Sequence, residues 1–239
     1  MTPDQAGILL VDKAQGWTSH DVAAYLRGVL KIKTGHGGTL DPMATGLLII
    51  LLGRATKMQD SFQKMPKAYS AEAALGAETD TWDAEGQITQ TLPIKNITIE
   101  DIKAAAQKLT GDITHPVPFY SAKKVGGVAM YKAARAGNNI VRESAVHVYE
   151  WTNIAMPAPD KITFDVRCGS GTYIRSLAFM LGRALGTAAH LSALRRTSAG
   201  GFDVKDAINI ETLKKMTKEE ILKHIVIPEG FYRESGCKV

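Results

Sequence analysis

Gly35-His36-Gly37-Gly38-Thr39-Leu40-Asp41-Pro42-Met43-Ala44-Thr45-Gly46-Leu47-Leu48 joins a polar, glycine-rich loop to an apolar run that continues to Leu52. The apolar run predicts an interior strand or a short buried helix, which places Asp41 beside a core element. A single carboxylate held on a glycine-punctuated turn is a candidate nucleophile or general base. Asp-Pro also commonly begins an ordinary turn, so the stretch by itself leaves both interpretations open.

The sequence on either side of this stretch mixes strand and helix patterns without strict alternation. An apolar strand is predicted over residues 7–12, and Thr18 with Asp21 forms a capping box that predicts a helix. Residues 68–75 and 87–90 flank an acidic turn and are predicted to pair as antiparallel strands. Together these patterns predict an α+β fold around a mixed, largely antiparallel central sheet flanked by helices and loops. Further strands are predicted over 146–151, 161–168 and 190–196, and helices over 55–62, after Thr98, after Thr172 and within 210–225.

The composition is that of a folded globular chain with a modest basic excess. The 239 residues are 45% hydrophobic, which is enough to bury a substantial core. Lys and Arg number 29 against 24 Asp and Glu, so the net charge of +5 is compatible with a polyanionic partner without demanding one. On charge alone, the basic clusters are interpreted as solvated faces. They are Lys31/Lys33, Lys57/Lys64/Lys67, Lys123/Lys124/Lys132/Arg135 and Arg195/Arg196.

Sequence motifs exclude the common cofactor and metal sites. There is no phosphate loop of the G-x-x-x-x-G-K-[ST] type, no strand-borne G-x-G-x-x-G and no H-E-x-x-H. The two cysteines, Cys168 and Cys237, lack metal-ligand spacing and cannot form a disulfide framework. We therefore expect a site without metal or cofactor, built on a carboxylate. The longest apolar run is too short to cross a bilayer, and residues 1–5 lack a signal-peptide pattern, so we expect a cytoplasmic protein that binds no membrane.

Four blocks of the chain, in order, resemble the TruB family of tRNA pseudouridine synthases. The resemblance extends to about residue 225 and implies the pseudouridine-synthase fold. It also implies an enzyme that isomerises uridine 55 in the T-loop of tRNA. The blocks are the stretch around Asp41, Lys67-Ala68-Tyr69 with Gly76-x-x-Thr79-Asp80-Thr81-x-Asp83-x-x-Gly86, Gly171-Thr172-Tyr173-Ile174-Arg175-Ser176-Leu177, and Leu191-Ser192-Ala193-Leu194-Arg195-Arg196-Thr197.

The resemblance implies a role for each matching side chain. Asp41 matches the essential nucleophilic aspartate, and Arg175 matches the arginine that pairs with it. An ionised, partly shielded carboxylate is costly without such a partner, so we expect a depressed pKa for Asp41. Tyr69 matches the tyrosine that stacks on the flipped base. The remaining implied substrate contacts are His36 beside the target uridine, Tyr173 on the base, Leu194 in the base pocket, and Lys67.

The resemblance also predicts a domain organisation. Residues 1–228 are expected to form the catalytic domain, with an exposed RNA-binding loop at about 118–145. The lysines Lys123 and Lys124, together with Arg135, suit phosphate contacts there. Residues 229–239 are too short for the RNA-binding PUA domain that the typical bacterial member carries. The chain also departs from the family's Gln-x-Pro-Pro pattern, since His115-Pro116-Val117-Pro118 stands before the loop.

Three rival functions are weighed against the synthase. A catalytically weak module that binds and refolds tRNA would not require Asp41, Tyr69 and Arg175 together. A guide-RNA-dependent enzyme of the dyskerin type relies on a PUA domain and protein partners. A metal-free glycosidase would need a second carboxylate near Asp41. We therefore favour a tRNA-specific synthase that acts on the T-arm as a monomer, without an obligatory protein partner.

Overall fold

The computed structural model describes residues 6–118 and 142–227, and the backbone of 124–125 and 128–129. These residues form two compact units. The first contains residues up to Lys67 together with those from Arg195 onward, and the second is Ala68–Leu194. The α+β class is confirmed, because each unit combines a sheet with helices.

The first unit is organised around a central apolar strand, β3 (Thr45–Gly53). It pairs antiparallel with β1 (Ala6–Lys13) along one edge, and with β2 (Thr34–His36) on its other edge. The end of β3 nearest Asp41 pairs in parallel with β12 (Ala189–Ala199), opposite Arg195 and Arg196. The two-residue strands β13 (Phe202–Asp203) and β14 (Ile208–Asn209) pair with β12 and β1.

The run of residues 47–52 is therefore a strand, which decides between the two predicted alternatives. Every residue of this run is at most 2% exposed, because β3 is covered on both faces. Burial of each Leu or Ile side chain contributes roughly 1.5–3 kcal/mol, so this strand is a principal source of stability. The helices of the first unit are α1 (Ser19–Leu30), α2 (Gln59–Lys64), α5 (Ile210–Leu213) and α6 (Lys218–Lys223), with two 3₁₀ turns (Arg54–Met58 and Val204–Asp206).

The second unit is built on the sheet order β12-β4-β11-β10-β7. Strand β11 (Lys161–Cys168) alternates as its sequence predicts, with Ile162, Phe164, Val166 and Cys168 all buried. The remaining elements are β4 (Lys67–Leu75), β5 (Ala77–Thr79), β6 (Ile88–Thr91), α3 (Ile99–Lys108), β7 (Gly111–Pro116), the short pair β8 (Lys124–Val125) and β9 (Val128–Ala129), β10 (Glu143–Ala158) and α4 (Ile174–Ala184).

One predicted strand pairing is wrong. The acidic turn is flanked by β5 and β6, which pair with each other, while β4 lies between β12 and β11. Gly76 causes the difference, because its φ of +87° turns the chain out of β4. Its N–H then donates to the Ala188 carbonyl and its carbonyl accepts from the Leu92 N–H, which closes the turn with β6 beside it.

Candidate active site

Asp41 lies on a tight turn immediately before β3. Its carbonyl accepts a hydrogen bond from the Ala44 N–H at 3.1 Å, and its side chain is half-buried. Met43 and Ala44 are buried behind it, which anchors the turn to the core. The turn expected from Asp-Pro is thus present, and it presents a partly shielded carboxylate.

The loop before β3 is held by buried side chains of α1 and β1. We call residues 37–44 the Asp41 loop. The hydroxyl of Ser19 accepts from the Leu40 N–H at 2.8 Å and donates to the Leu40 carbonyl at 3.0 Å. The Lys13 ammonium, which is 0% exposed, donates to the carbonyls of Pro42 at 3.3 Å and Trp17 at 2.7 Å. Backbone groups on both sides of Asp41 are therefore fixed before any substrate arrives.

Arg196 holds the other end of the Asp41 loop. Its guanidinium is buried and donates to the carbonyls of Leu47 at 2.7 Å, Gly38 at 3.1 Å and Thr39 at 3.4 Å. The interpretation of Arg195 and Arg196 as a solvated basic face is wrong for Arg196. The neighbouring Arg195 is half-exposed and forms a bidentate salt bridge with Asp12, at 2.8 and 3.0 Å.

His36 ends β2 and leads into the Asp41 loop. Its Nδ1 is buried and has no hydrogen-bond partner among the described residues. Burial lowers the pKa of His36, and the positive charges of Arg196 and His20 lower it further. The imidazole is therefore neutral at neutral pH, which suits a buried ring whose Nδ1 is unsatisfied within the described residues.

Lys67 has a structural environment within the first unit. Its ammonium is buried and donates to the carbonyls of Met65 at 2.6 Å and Gln63 at 2.8 Å, with Phe62 at 3.4 Å. Phe62 and Gln63 lie in the last turn of α2, and Met65 follows the helix. The lysine therefore caps the C-terminal end of α2. Substrate binding by Lys67 stays a prediction.

Arg175 is fixed within the second unit. Its guanidinium is 4% exposed, donates to the Thr81 carbonyl at 3.0 Å and lies 3.4 Å from the Asp83 carboxylate. Asp83 in turn accepts from the Thr81 hydroxyl at 2.6 Å and the Glu85 N–H at 3.0 Å. The acidic segment is thus a hairpin turn, as predicted, and it also orients the arginine. The pairing of Arg175 with Asp41 stays a prediction.

Three further predicted residues also lie in the second unit. Tyr69 is on β4 and is 8% exposed, Leu194 is on β12 and is equally buried, and Tyr173 is half-buried at the start of α4. Lys123 and Arg135 lie outside the described residues, as does the side chain of Lys124.

The structure adds four residues that the motifs did not assign to the site: Lys13, Ser19, Arg196 and Asp83. Each is a polar side chain at most 4% exposed, and each holds backbone or a site residue. In the sequence, these residues could be found only as polar residues at positions that face the core, as with Arg196 two places after Leu194 on β12.

Within residues 6–118 and 142–227, no group of three or more His, Cys, Asp or Glu could hold a metal ion. No helix in the described part of the chain is long and apolar enough to cross a membrane.

Comparison with known proteins decides the family. Residues 27–174 match the N-terminal domain of the TruB family pseudouridylate synthases, and residues 175–229 match the tRNA pseudouridylate synthase B C-terminal domain. The chain belongs to the TruB family. It is accordingly an enzyme of the pseudouridine synthase class, an isomerase, as the sequence predicts.

Curated TruB relatives cover most of the chain. The tRNA pseudouridine synthase B of Opitutus terrae is 44% identical over 224 residues, which are 92% of this chain and 92% of that protein. The tRNA pseudouridine synthase B of Syntrophotalea carbinolica is 41% identical over 216 residues, which are 90% of this chain and 70% of that protein.

Solved structures confirm the pseudouridine-synthase fold. The crystal structure of a Cbf5-Nop10-Gar1 complex matches with a TM-score of 0.68 at 28% identity, over 97% of this chain and 57% of that one. An H/ACA RNP bound to a substrate RNA containing 2'-deoxyuridine matches with a TM-score of 0.65 at 26% identity, over 97% of this chain and 56% of that one. The TruB-family chain thus spans somewhat more than half the length of these solved relatives.

Proposed function

We propose that this chain isomerises uridine 55 in the T-loop of tRNA to pseudouridine, with Asp41 as the reacting carboxylate. The observation that carries the proposal is a half-buried carboxylate on a loop that Ser19, Lys13 and Arg196 hold in place. A loop fixed in this way positions its reacting group without further ordering when the substrate binds. The curated relatives named tRNA pseudouridine synthase B support tRNA as the substrate.

The reaction fits a site built on one carboxylate. The C1′–N1 glycosidic bond breaks, a C1′–C5 bond forms, and the proton lost from C5 is balanced by one gained at N1. No atoms or electrons are exchanged with a second reactant, so the isomerisation itself requires no redox cofactor. Asp41 can serve by attacking the sugar, by attacking the base or by abstracting a proton, and each role requires its ionised form.

Arg175 is proposed to keep Asp41 ionised. Its guanidinium is buried and oriented by the Thr81 carbonyl and the Asp83 carboxylate, which supports a fixed position for the positive charge. A neighbouring guanidinium favours the charged form of a carboxylate and would hold the pKa of Asp41 below its usual range.

The target base must leave the T-loop to reach Asp41. Flipping a base costs a few kcal/mol, and stacking on an aromatic ring returns about 1–3 kcal/mol. Tyr69 and Tyr173 are proposed to supply that stacking and Leu194 an apolar wall. The neutral His36, with its buried Nδ1, is proposed to contact the RNA beside the target uridine.

Phosphate contacts are proposed for four basic residues. Lys123, Lys124 and Arg135 on the loop are proposed to bind the T-arm backbone, and Lys67 to contribute a further charge. Such contacts position RNA without reading its sequence. We propose that the enzyme works in the cytoplasm as a monomer.

Mapping of pseudouridine tests the substrate and its position. An unmodified tRNA transcript is incubated with the protein, and pseudouridine is mapped by carbodiimide modification and primer extension. We expect one new modification, at position 55, and none in a matched transcript with cytidine at that position. Modification elsewhere, or binding without modification, would contradict the proposal, and the latter would favour the tRNA-refolding alternative.

A further inference from the structure

The start of α4 is held by contacts with β7. Helices α1, α3 and α6 each begin with a capping box, in which an acidic side chain in the first turn accepts the N–H of the N-cap threonine. Helix α4 begins at Tyr173 with no side-chain cap of its own. The capping-box position is occupied by Ser176, whose hydroxyl donates instead to the Pro116 carbonyl on β7 at 2.7 Å.

His115 on β7 supplies the missing acceptor. Its Nε2 lies 3.3 Å from the backbone nitrogen of Tyr173, and its Nδ1 lies 2.9 Å from the Pro116 carbonyl. A carbonyl only accepts and a backbone N–H only donates, so Nδ1 carries the hydrogen and Nε2 is bare. The ring is 0% exposed and packs edge-on against the Tyr173 ring at 5.7 Å.

The contact between β7 and the start of α4 lies next to two predicted site residues, Tyr173 and Arg175. The backbone N–H of Tyr173 donates the hydrogen bond to His115. Arg175 lies two residues further along the chain, and its guanidinium donates to the Thr81 carbonyl. We propose that His115 is a positioning residue for the reaction, because it fixes the first turn of α4 and so places Tyr173 and Arg175. This inference rests on the proposed function. A displacement of about 1 Å in such groups can cost roughly a hundredfold in rate.

A pair of substitutions separates the hydrogen bonds from the packing. In His115→Gln, the amide oxygen can accept from Tyr173 while the amide nitrogen donates to Pro116. In His115→Phe, a ring of similar size fills the space and makes neither bond. We expect His115→Phe to lower kcat for uridine isomerisation on tRNA by roughly tenfold or more. KM is expected to stay within about twofold, and His115→Gln to retain at least about a third of the wild-type kcat.

Thermal unfolding of the same variants controls for stability. The inference holds if His115→Phe loses kcat while folded at the assay temperature and His115→Gln regains it. It is overturned if folded His115→Phe keeps the wild-type kcat, or if folded His115→Gln loses as much kcat as His115→Phe. If both variants unfold, Ser176→Ala, which removes only the second tie to β7, should lower kcat, and an unchanged kcat would overturn the inference.

NMR of the His115 ring tests this inference without an activity assay, and so separately from the proposed function. The side-chain ¹⁵N resonances of His115 in the wild-type protein should show hydrogen on Nδ1 and a bare Nε2 near neutral pH. Hydrogen on Nε2, or a charged ring, would overturn the proposed contact whether or not the protein modifies tRNA. A wild-type protein that shows the expected tautomer and forms no pseudouridine would instead contradict the proposed function.

Discussion

Asp41 is one carboxylate among many, and its surroundings distinguish it from the others. The loop that carries it has little regular structure of its own, yet its carbonyl and N–H groups meet buried donors and acceptors from Ser19, Lys13 and Arg196. Buried polar side chains are expensive unless each finds partners, so their presence here indicates a loop that must keep one conformation.

Substitution of Arg196 measures how much its hydrogen bonds to the Asp41 loop and β3 stabilise the protein. Arg196→Met removes the donor to the carbonyls of Gly38, Thr39 and Leu47, two of which make buried hydrogen bonds with it. This change should cost about 1–3 kcal/mol and lower activity through the Asp41 loop. The matched change Arg195→Met breaks a half-exposed pair with Asp12 and should cost about 1 kcal/mol or less. Urea unfolding measures both. Equal losses would contradict the assigned role of Arg196.

His36 predicts a pH dependence of stability. Its pKa is lowered in the folded protein, so the unfolded chain binds more protons below the ordinary histidine value of about 6.5. Its contribution to stability is therefore complete above about pH 6.5 and is lost as the pH falls toward the lowered pKa. The free energy of unfolding, measured by urea at about pH 7.5 and 5.5, should fall less in His36→Gln than in the wild type. Identical falls would contradict this account.

At the scale of elements, the close approach of β3 and β12 depends on Gly46. Its φ is +98°, and a Cβ built there would lie 2.2 Å from the Arg196 carbonyl oxygen and 2.7 Å from its nitrogen. Gly46→Ala should therefore destabilise the protein by at least about 2 kcal/mol.

Gly28, which is exposed in the last turn of α1, is the matched control. A Cβ there would meet no atom within 4 Å, so Gly28→Ala should stabilise the protein by roughly 0.5–1 kcal/mol. Thermal or urea unfolding of the two variants measures the contrast. If Gly46→Ala is as stable as Gly28→Ala, the close pairing of β3 with β12 is wrong.

Elements whose determinants are local could be predicted from the sequence. The capping pairs Thr18/Asp21 and Thr98/Asp101 gave the starts of α1 and α3, and the period-two pattern of residues 161–168 gave the buried face of β11. Strand partners could not be predicted in this way. The neighbour of β4 is β12, more than a hundred residues away, whereas the acidic turn suggested the nearby β6.

The residues of the candidate site likewise divide into those that the sequence could predict and those that depend on contacts between distant parts of the chain. The glycine-punctuated stretch made Asp41 a candidate, and the resemblance to the TruB family implied its role and its expected partners. The burial of Lys13 and Arg196 could not be predicted, because a basic side chain looks solvated until the fold supplies carbonyls around it. Asp83 was visible only as one acid in a turn, since its contact with Arg175 joins β5–β6 to α4.

At the scale of the whole molecule, the net charge of +5 and the basic residues of segment 123–135 predict salt-dependent binding of tRNA. Replacing Lys123 and Lys124 by Ala should reduce the slope of log binding constant against log salt by about 0.7–0.9 for each phosphate that the lysines neutralise. Replacing the exposed Lys215 and Lys218 by Ala removes the same charge elsewhere and should change the slope less. Filter binding across a salt series measures both slopes, and equal changes would exclude a specific role for Lys123 and Lys124.

The single-turnover rate of pseudouridine formation on an unmodified tRNA transcript tests the central claim most directly. It is compared for the wild type, Asp41→Asn and the exposed control Asp206→Asn, each checked for folding and for tRNA binding. We predict that Asp41→Asn binds tRNA and forms no pseudouridine, whereas Asp206→Asn reacts at the wild-type rate. Pseudouridine formation by Asp41→Asn at a rate near that of the wild type would contradict the assignment of Asp41 as the reacting carboxylate.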